Sequence, residues 1–149
     1  MISTDYYPTL LEAAGLSPRP QQHLDGVSFV PLLRGKTRPR RPLYWHYPHY
    51  SNQGTWPTGA VRDGKYKLVE DYEDNHDELY DIEADIGEQH DLASAMPEKV
   101  AQMRQMLHVW LKSVDAQMPT ANPNYVPPKP GAQSSAAPIG PMPLELIDD

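Results

Sequence analysis

A chain of 149 residues with a net charge of −7, 39% hydrophobic residues and no cysteine has room for one domain of ordinary size. Without cysteine there is no disulfide, thiolate metal site or Cys nucleophile. The acidic balance argues against nucleic acid as a partner, since a polyanion needs a broadly basic surface.

The N-terminus opens into a polar, proline-containing segment with no signal peptide or membrane span, and it reads like an internal stretch. Charge is segregated along the chain. Between Arg34 and Lys67 lie eight basic residues (Arg34, Lys36, Arg38, Arg40, Arg41, Arg62, Lys65, Lys67) and one acid, Asp63. Between Glu70 and Asp91 lie eleven acids and no Lys or Arg. Adjacent blocks of opposite sign predict either that one folds back on the other or that the basic block docks an anion.

In chain order, Ser3, Thr4 and Asp5 are N-cap types and Pro8 fits a first helical turn. Tyr7, Leu10, Leu11 and Ala14 recur at helical spacing, and Gly15 suits the C-terminal cap. This predicts a short amphipathic helix whose apolar face packs on something else. Ser28 is placed to cap a one-turn helix carrying Phe29, Leu32 and Leu33 and stopped at Gly35. Arg38–Pro42 reads as an extended, exposed connector.

The aromatic run Leu43–Tyr47 predicts a strand, with Leu43, Trp45 and Tyr47 on one face and Tyr44 and His46 on the other. Pro48–Thr58 is a loop holding His49, Tyr50, Asn52 and Trp56, and loops on a rigid edge are where sites tend to sit.

Asp63-Gly64 between two runs of strand formers predicts a hairpin with a two-residue turn. That turn sets Arg62 opposite Lys65, Val61 opposite Tyr66 and Ala60 opposite Lys67. Val61, Tyr66 and Leu68 then share one face, and Arg62, Lys65 and Lys67 a cationic one. A three-residue loop would pair Val61 with Lys65 and mix the faces. Like charges set opposite one another need an acidic cover, which the block after Glu70 can provide.

Leu79–Ile82 reads as a short strand. Pro97 opens one long helix to about Asp115, with Val100, Met103, Leu107, Trp110 and Val114 as its apolar stripe. Glu98 and Lys112 suit its two ends. Eight of the 17 prolines follow Met118, so 119–149 is expected to be a Pro-rich disordered tail. The element order predicts an α+β unit, a small antiparallel sheet of three to four strands under a long C-terminal helix.

The search for chemistry returns no catalytic residue. There is no Gly-x-Ser-x-Gly element, no glycine-rich phosphate loop and no His-Glu-x-x-His. The acidic run Asp71–Glu78 lacks the glycine and the spaced terminal Glu of a calcium loop, so a solvated loop against the basic block is expected. His46 and His49 flank Tyr47-Pro48 at a strand end. They could converge on a metal, pack among aromatics, or face an anion at the rim of a pocket; with two ligands and no third, no metal site is assigned.

The order of motifs resembles the C-terminal portion of the sulfatase family. Ser3–Leu16 looks like the helix closing the catalytic domain. Asp25–Phe29 with Pro31–Gly35 is similar to the segment that follows, Ala60–Leu68 resembles the C-terminal hairpin, and Glu78–Glu88 with Asp91–Ala93 the strand and turn before the last helix. The His-Tyr-Pro-His-Tyr element looks closest to bacterial arylsulfatase-like members.

The resemblance implies the end of an alkaline-phosphatase-like α/β fold. Residues 1–35 would end the catalytic domain and 36–118 would form the C-terminal subdomain. It further implies hydrolysis of sulfate esters by a formylglycine beside a calcium ion in the complete enzyme. The formylglycine derives from a Cys/Ser-x-Pro-x-Arg motif, which Ser17-Pro18-Arg19-Pro20 does not match, so nucleophile and metal ligands would lie in an upstream catalytic domain. The chain is then expected to be inactive alone and to hold no cofactor itself. His46, His49 and Arg62 would face a sulfated small molecule or glycan. Two further readings stand beside this one. The first is a free-standing module binding sulfated glycans through Arg62, Lys65 and Lys67; the second is a fragment of a phosphomonoester or diester hydrolase of the same superfamily.

Overall fold

The structure is a computed structural model and describes residues 1–51, 56–74 and 76–124. The chain divides into two compact units, Met1–Leu43 and Tyr44 onward. The expected tail lies outside the described residues from 125 on, as do loop residues 52–55.

The first unit begins with a 3₁₀ turn, Ser3–Asp5, that runs into helix α1, Tyr6–Ala13. A one-turn helix, α2, spans Val30–Leu33. Both helices stop by the same device: Gly15 and Gly35 adopt φ of +69° and +71°. The Leu16 N–H reaches Leu11 O at 2.9 Å and the Lys36 N–H reaches Pro31 O at 2.9 Å. These six-to-one bonds satisfy carbonyls that would otherwise be orphaned, and glycine enters that conformation without a Cβ penalty.

The expected apolar stripe of α1 is not the face this unit buries. Asp5, Pro8 and Thr9 are buried, whereas Tyr7 is 41% and Leu10 64% exposed. The reason is polar. Asp5 Oδ1 accepts the Val27 N–H at 2.9 Å, and the Thr9 hydroxyl accepts the Phe29 N–H at 3.0 Å while donating to Asp5 O at 2.6 Å. The loop before α2 thus docks on the polar side of α1, where its backbone groups find partners they would lose on an apolar face.

The connector Arg38–Pro42 departs from its expected exposure for the same reason. Arg38 Nη2 and Arg41 Nη2 lie 3.2 and 2.6 Å from the carboxylate of Asp5, and the arginine side chains are only 14% and 27% exposed. Burial pushes the Asp5 carboxyl up, but the Val27 N–H, Arg41, the Ile2 N–H and Arg38 outweigh it and hold the group below the ordinary carboxylate range.

The second unit is built on strands β1 (Leu43–Tyr47), β2 (Thr58–Asp63), β3 (Tyr66–Asp71) and β4 (Asp77–Asp81), with helix α3 (Pro97–Ser113) following. The sheet order is β1-β2-β3-β4. β2, β3 and β4 form an antiparallel meander in which Val61 opposes Leu68 and Leu68 opposes Leu79.

The hairpin register differs from expectation. Asp63 pairs with Tyr66 and Arg62 with Lys67, so Gly64-Lys65 is the two-residue turn. Gly64 carries φ +62° and Asp63 is not among the positive-φ residues. A turn with glycine at its first central position needs one left-handed residue, and glycine supplies it; the Asp63-Gly64 turn would force a second one on aspartate. The shift is two residues, so the expected face of Val61, Tyr66 and Leu68 survives it.

Val61, Leu68, Leu79, Met103, Leu107 and Leu111 form the buried core, with Tyr44, Val100 and Trp110 packed against it. Each fully buried aliphatic side chain here contributes about 1.5–3 kcal/mol. Leu111, not Val114, completes the helix stripe; Val114 is 47% exposed. α3 ends at Ser113, and Asp115 turns into the left-handed region at φ +51°. The Ala116 N–H then bonds Leu111 O at 3.0 Å, and Ala116 packs on the core. Pro97 opens α3, Glu98 sits in its first turn and Lys112 in its last, as expected.

Candidate functional site

The sheet has an inner face under α3 and an outer face. On β1, Tyr44 stacks on Trp110 of α3 with ring centroids 5.0 Å apart and planes 5° from parallel. Alternation therefore places His46 on the inner face and Trp45 and Tyr47 on the outer one. Arg62 and Lys67 are on the outer face as well, opposite each other and out of phase with Val61 and Leu68.

His46 is engaged at both ring nitrogens. Its Nε2 lies 2.9 Å from Gln117 O and its Nδ1 2.8 Å from Tyr72 Oη. A carbonyl oxygen can only accept, so in the neutral ring Nε2 carries the hydrogen and Nδ1 accepts from the tyrosine. The Tyr72 phenol is protonated at neutral pH as any tyrosine is, and burial and the charge of Glu70 push it further up, to about 12. His46 is thus a strut between β1, the end of β3 and the segment after α3.

His49, in contrast, is exposed and touches the Tyr47 ring edge-on at 5.7 Å. Arg62 donates from Nε to Gly64 O at 3.2 Å. His46 and Arg62 therefore lie on opposite faces of the sheet, and the fold does not bring the two together. Asn52 of the same loop lies outside the described residues.

The cationic face of the hairpin is met by the acidic block. Lys65 Nζ lies 2.5 Å from Asp81 Oδ2, and Lys67 Nζ donates to both oxygens of Glu88 at 2.7 and 2.8 Å. The Lys65 ammonium holds the Asp81 carboxyl below its ordinary value, and Asp81 in turn raises Lys65. These surface pairs, exposed or half-buried, contribute modestly to stability, but they occupy two of the three cations that an anion-binding ribbon would need.

One cluster escaped the sequence reading. On the inner face Glu70 and Asp77 are paired residues of β3 and β4, both buried. His108 Nε2 sits 2.7 Å from Glu70 Oε1, Arg104 Nε lies 3.9 Å from the same oxygen, and Arg104 Nη2 contacts Asp77. The helical spacing of Arg104 and His108, one turn apart, is the signal that could have found it. Among the described residues no group of three or more His, Asp and Glu side chains could hold a metal ion, and no helix is long and apolar enough to cross a membrane.

Comparison with known proteins gives this arrangement a family. The family model described as N-sulphoglucosamine sulphohydrolase, C-terminal, matches residues 1–117. A sulfatase of Formosa agariphila is 34% identical over 122 residues, covering 72% of this chain and 22% of that protein. A Delta 4,5-hexuronate-2-O-sulfatase of Bacteroides thetaiotaomicron is 34% identical over 93 residues, covering 60% of this chain and 18% of that protein. A solved structure in complex with its substrate, D-glucosamine-2-N,6-O-disulfate, superposes with a TM-score of 0.63 at 27% identity, over 77% of this chain and 24% of that one. A phosphonate monoester hydrolase from Silicibacter pomeroyi follows at a TM-score of 0.55 and 25% identity, over 75% of this chain and 25% of that one. The chain thus spans about a fifth to a quarter of the relatives it matches. Its sheet and C-terminal helix are those of alkaline-phosphatase-like sulfatases, and the chain belongs to the family of sulfatase C-terminal domains.

Proposed function

We propose that this chain is the C-terminal portion of an enzyme that hydrolyses sulfate esters of a glycan or small molecule, and that it is inactive alone. The observation that carries the proposal is the family match across residues 1–117. Nucleophile, calcium and formylglycine would belong to the upstream catalytic domain, the chain's main partner. The exposed apolar side chains of the first unit, Tyr6, Leu10 and Leu33 among them, suit a surface covered by that domain.

Of the three substrate-facing candidates, His49 suits the role best, because it is exposed beside Tyr47 at the end of β1. His46 acts as a positioning residue, holding the strand that presents the loop. Arg62 remains a candidate on the outer face. The reading as a free glycan-binding module is weakened by the carboxylate partners of Lys65 and Lys67. A phosphoester-hydrolysing parent is the second reading, supported by the phosphonate monoester hydrolase neighbour.

Incubating the chain with 4-nitrophenyl sulfate should release no nitrophenol above the uncatalysed rate; robust turnover would overturn the inactivity claim. In a full-length relative, replacing the counterpart of His49 by alanine should lower kcat/KM about tenfold or more without lowering Tm. An unchanged kcat/KM would remove His49 from the site.

A further inference from the structure

The outer face of the sheet carries a cavity of about 160 Å³ lined by Trp56, Thr58, Val69, Asp71, His76 and Glu78. Its floor follows from the register: Thr58 opposes Asp71 and Val69 opposes Glu78, all four on the face turned away from α3. Trp56 and His76 form the walls. The His76 wall is tied to the floor by the Asp71 N–H to His76 O bond at 2.8 Å, and Pro57, next to Trp56, accepts the Tyr72 N–H at 3.1 Å.

The chemistry of this lining is specific. Trp56 is 50% exposed and lines the cavity, which makes its indole available to a ligand. Asp71 is fixed in place by accepting the Glu73 N–H on Oδ1 at 2.7 Å. The Glu78 carboxylate has His76 Nε2 4.0 Å away. Among the described residues no Lys or Arg lines the cavity. A sulfate or phosphate group would meet two carboxylates without a fixed cation, and a purely apolar ligand would strip water from both acids. An uncharged, hydroxyl-rich ring fits both halves of the wall: its C–H face lies on the indole while its hydroxyls donate to the carboxylates and to Thr58.

From this juxtaposition we infer that the cavity is a binding site for one neutral sugar ring. The inference goes beyond the ester-cleavage proposal and does not depend on it, since its readout involves no hydrolysis.

The test is an amide and indole NMR titration of the full chain with methyl glucoside, methyl galactoside and N-acetylglucosamine, with sodium sulfate as the anionic control. At least one sugar should give saturable shifts at the Trp56 indole and the Thr58, Val69 and Glu78 amides, and sulfate should not. Trp56→Ala removes the platform and Val69→Phe fills the floor; each should weaken binding at least tenfold while leaving distant amide positions unchanged. Absence of saturable shifts with all three sugars, equal binding by both variants, or the same resonances responding to sulfate would overturn the assignment.

Discussion

Replacing Gly59 with alanine tests the link between core packing and the strut that holds β1. Gly59 lies on the inner face opposite Glu70. A Cβ there would fall on Tyr72 Oη, 2.9 Å from Tyr72 Cζ and 3.2 Å from Leu107 Cδ2. Leu107 is fully buried, so the tyrosine ring must give way, and with it the bond to His46 Nδ1. Overpacking costs about 1–3 kcal/mol and the lost hydrogen bond about 1 kcal/mol net, so Gly59→Ala should destabilise the second unit by about 2–4 kcal/mol. Tyr72→Phe alone should cost about 1 kcal/mol. Because the phenylalanine lacks the oxygen on which the new methyl falls, the double variant should be more stable than the sum of the singles by about 1 kcal/mol or more. Urea denaturation followed by far-UV circular dichroism supplies all four corners of the cycle. A Gly59→Ala cost below about 0.5 kcal/mol, or additivity within that margin, would refute the reasoning.

Asp5→Asn should unfold the first unit selectively, costing about 3 kcal/mol by leaving Arg38 and Arg41 without their shared carboxylate; hydrogen exchange of the Val27 and Phe29 amides reads it. The same amides report on acid. Since the folded-state pKa of Asp5 is lowered, its stabilisation is complete above the ordinary carboxylate value of about 3.9 and is lost as pH falls through the lower folded value. Protection should therefore persist at pH 5 and fall away in strong acid, and a loss already present at pH 5 would contradict the pairing. Asp115→Gly removes a left-handed aspartate from the end of α3 and should raise stability by about 0.5–1 kcal/mol, seen as a higher Tm.

The elements whose information is local were legible. Pro97, the apolar spacing and Lys112 announce α3, and strand alternation sorted Tyr44 and His46 from Trp45 and Tyr47. What failed was long-range. Asp5 looks like a capping residue and does accept the Ile2 N–H at 3.2 Å, yet its other partners are the Val27 N–H, Arg38 and Arg41, 22 to 36 positions away, and no local rule points to them. For that reason the polar side of α1 that this unit buries was not legible from its apolar stripe. The inner-face position of His46 was readable from alternation, but its engagement with Tyr72 and Gln117 O needed the fold. Its separation from Arg62 by the thickness of the sheet needed the fold as well. The acidic cover of the hairpin was legible as a block; that Asp81 meets Lys65 follows from the Tyr66–Asp81 pairing, whereas Glu88 reaches Lys67 from the turns after β4.

The hairpin turn also has a consequence for how this family's chains can vary in length. With Gly64-Lys65 as the reversing pair, adding or removing one residue on each arm keeps opposite residues opposite but moves the turn outward or inward. Changing one arm alone by a single residue would turn Val61 or Leu68 out of the core. Natural length changes within the paired arms should therefore come in pairs, whereas residues inserted between Asp63 and Tyr66 lengthen the loop without disturbing the register.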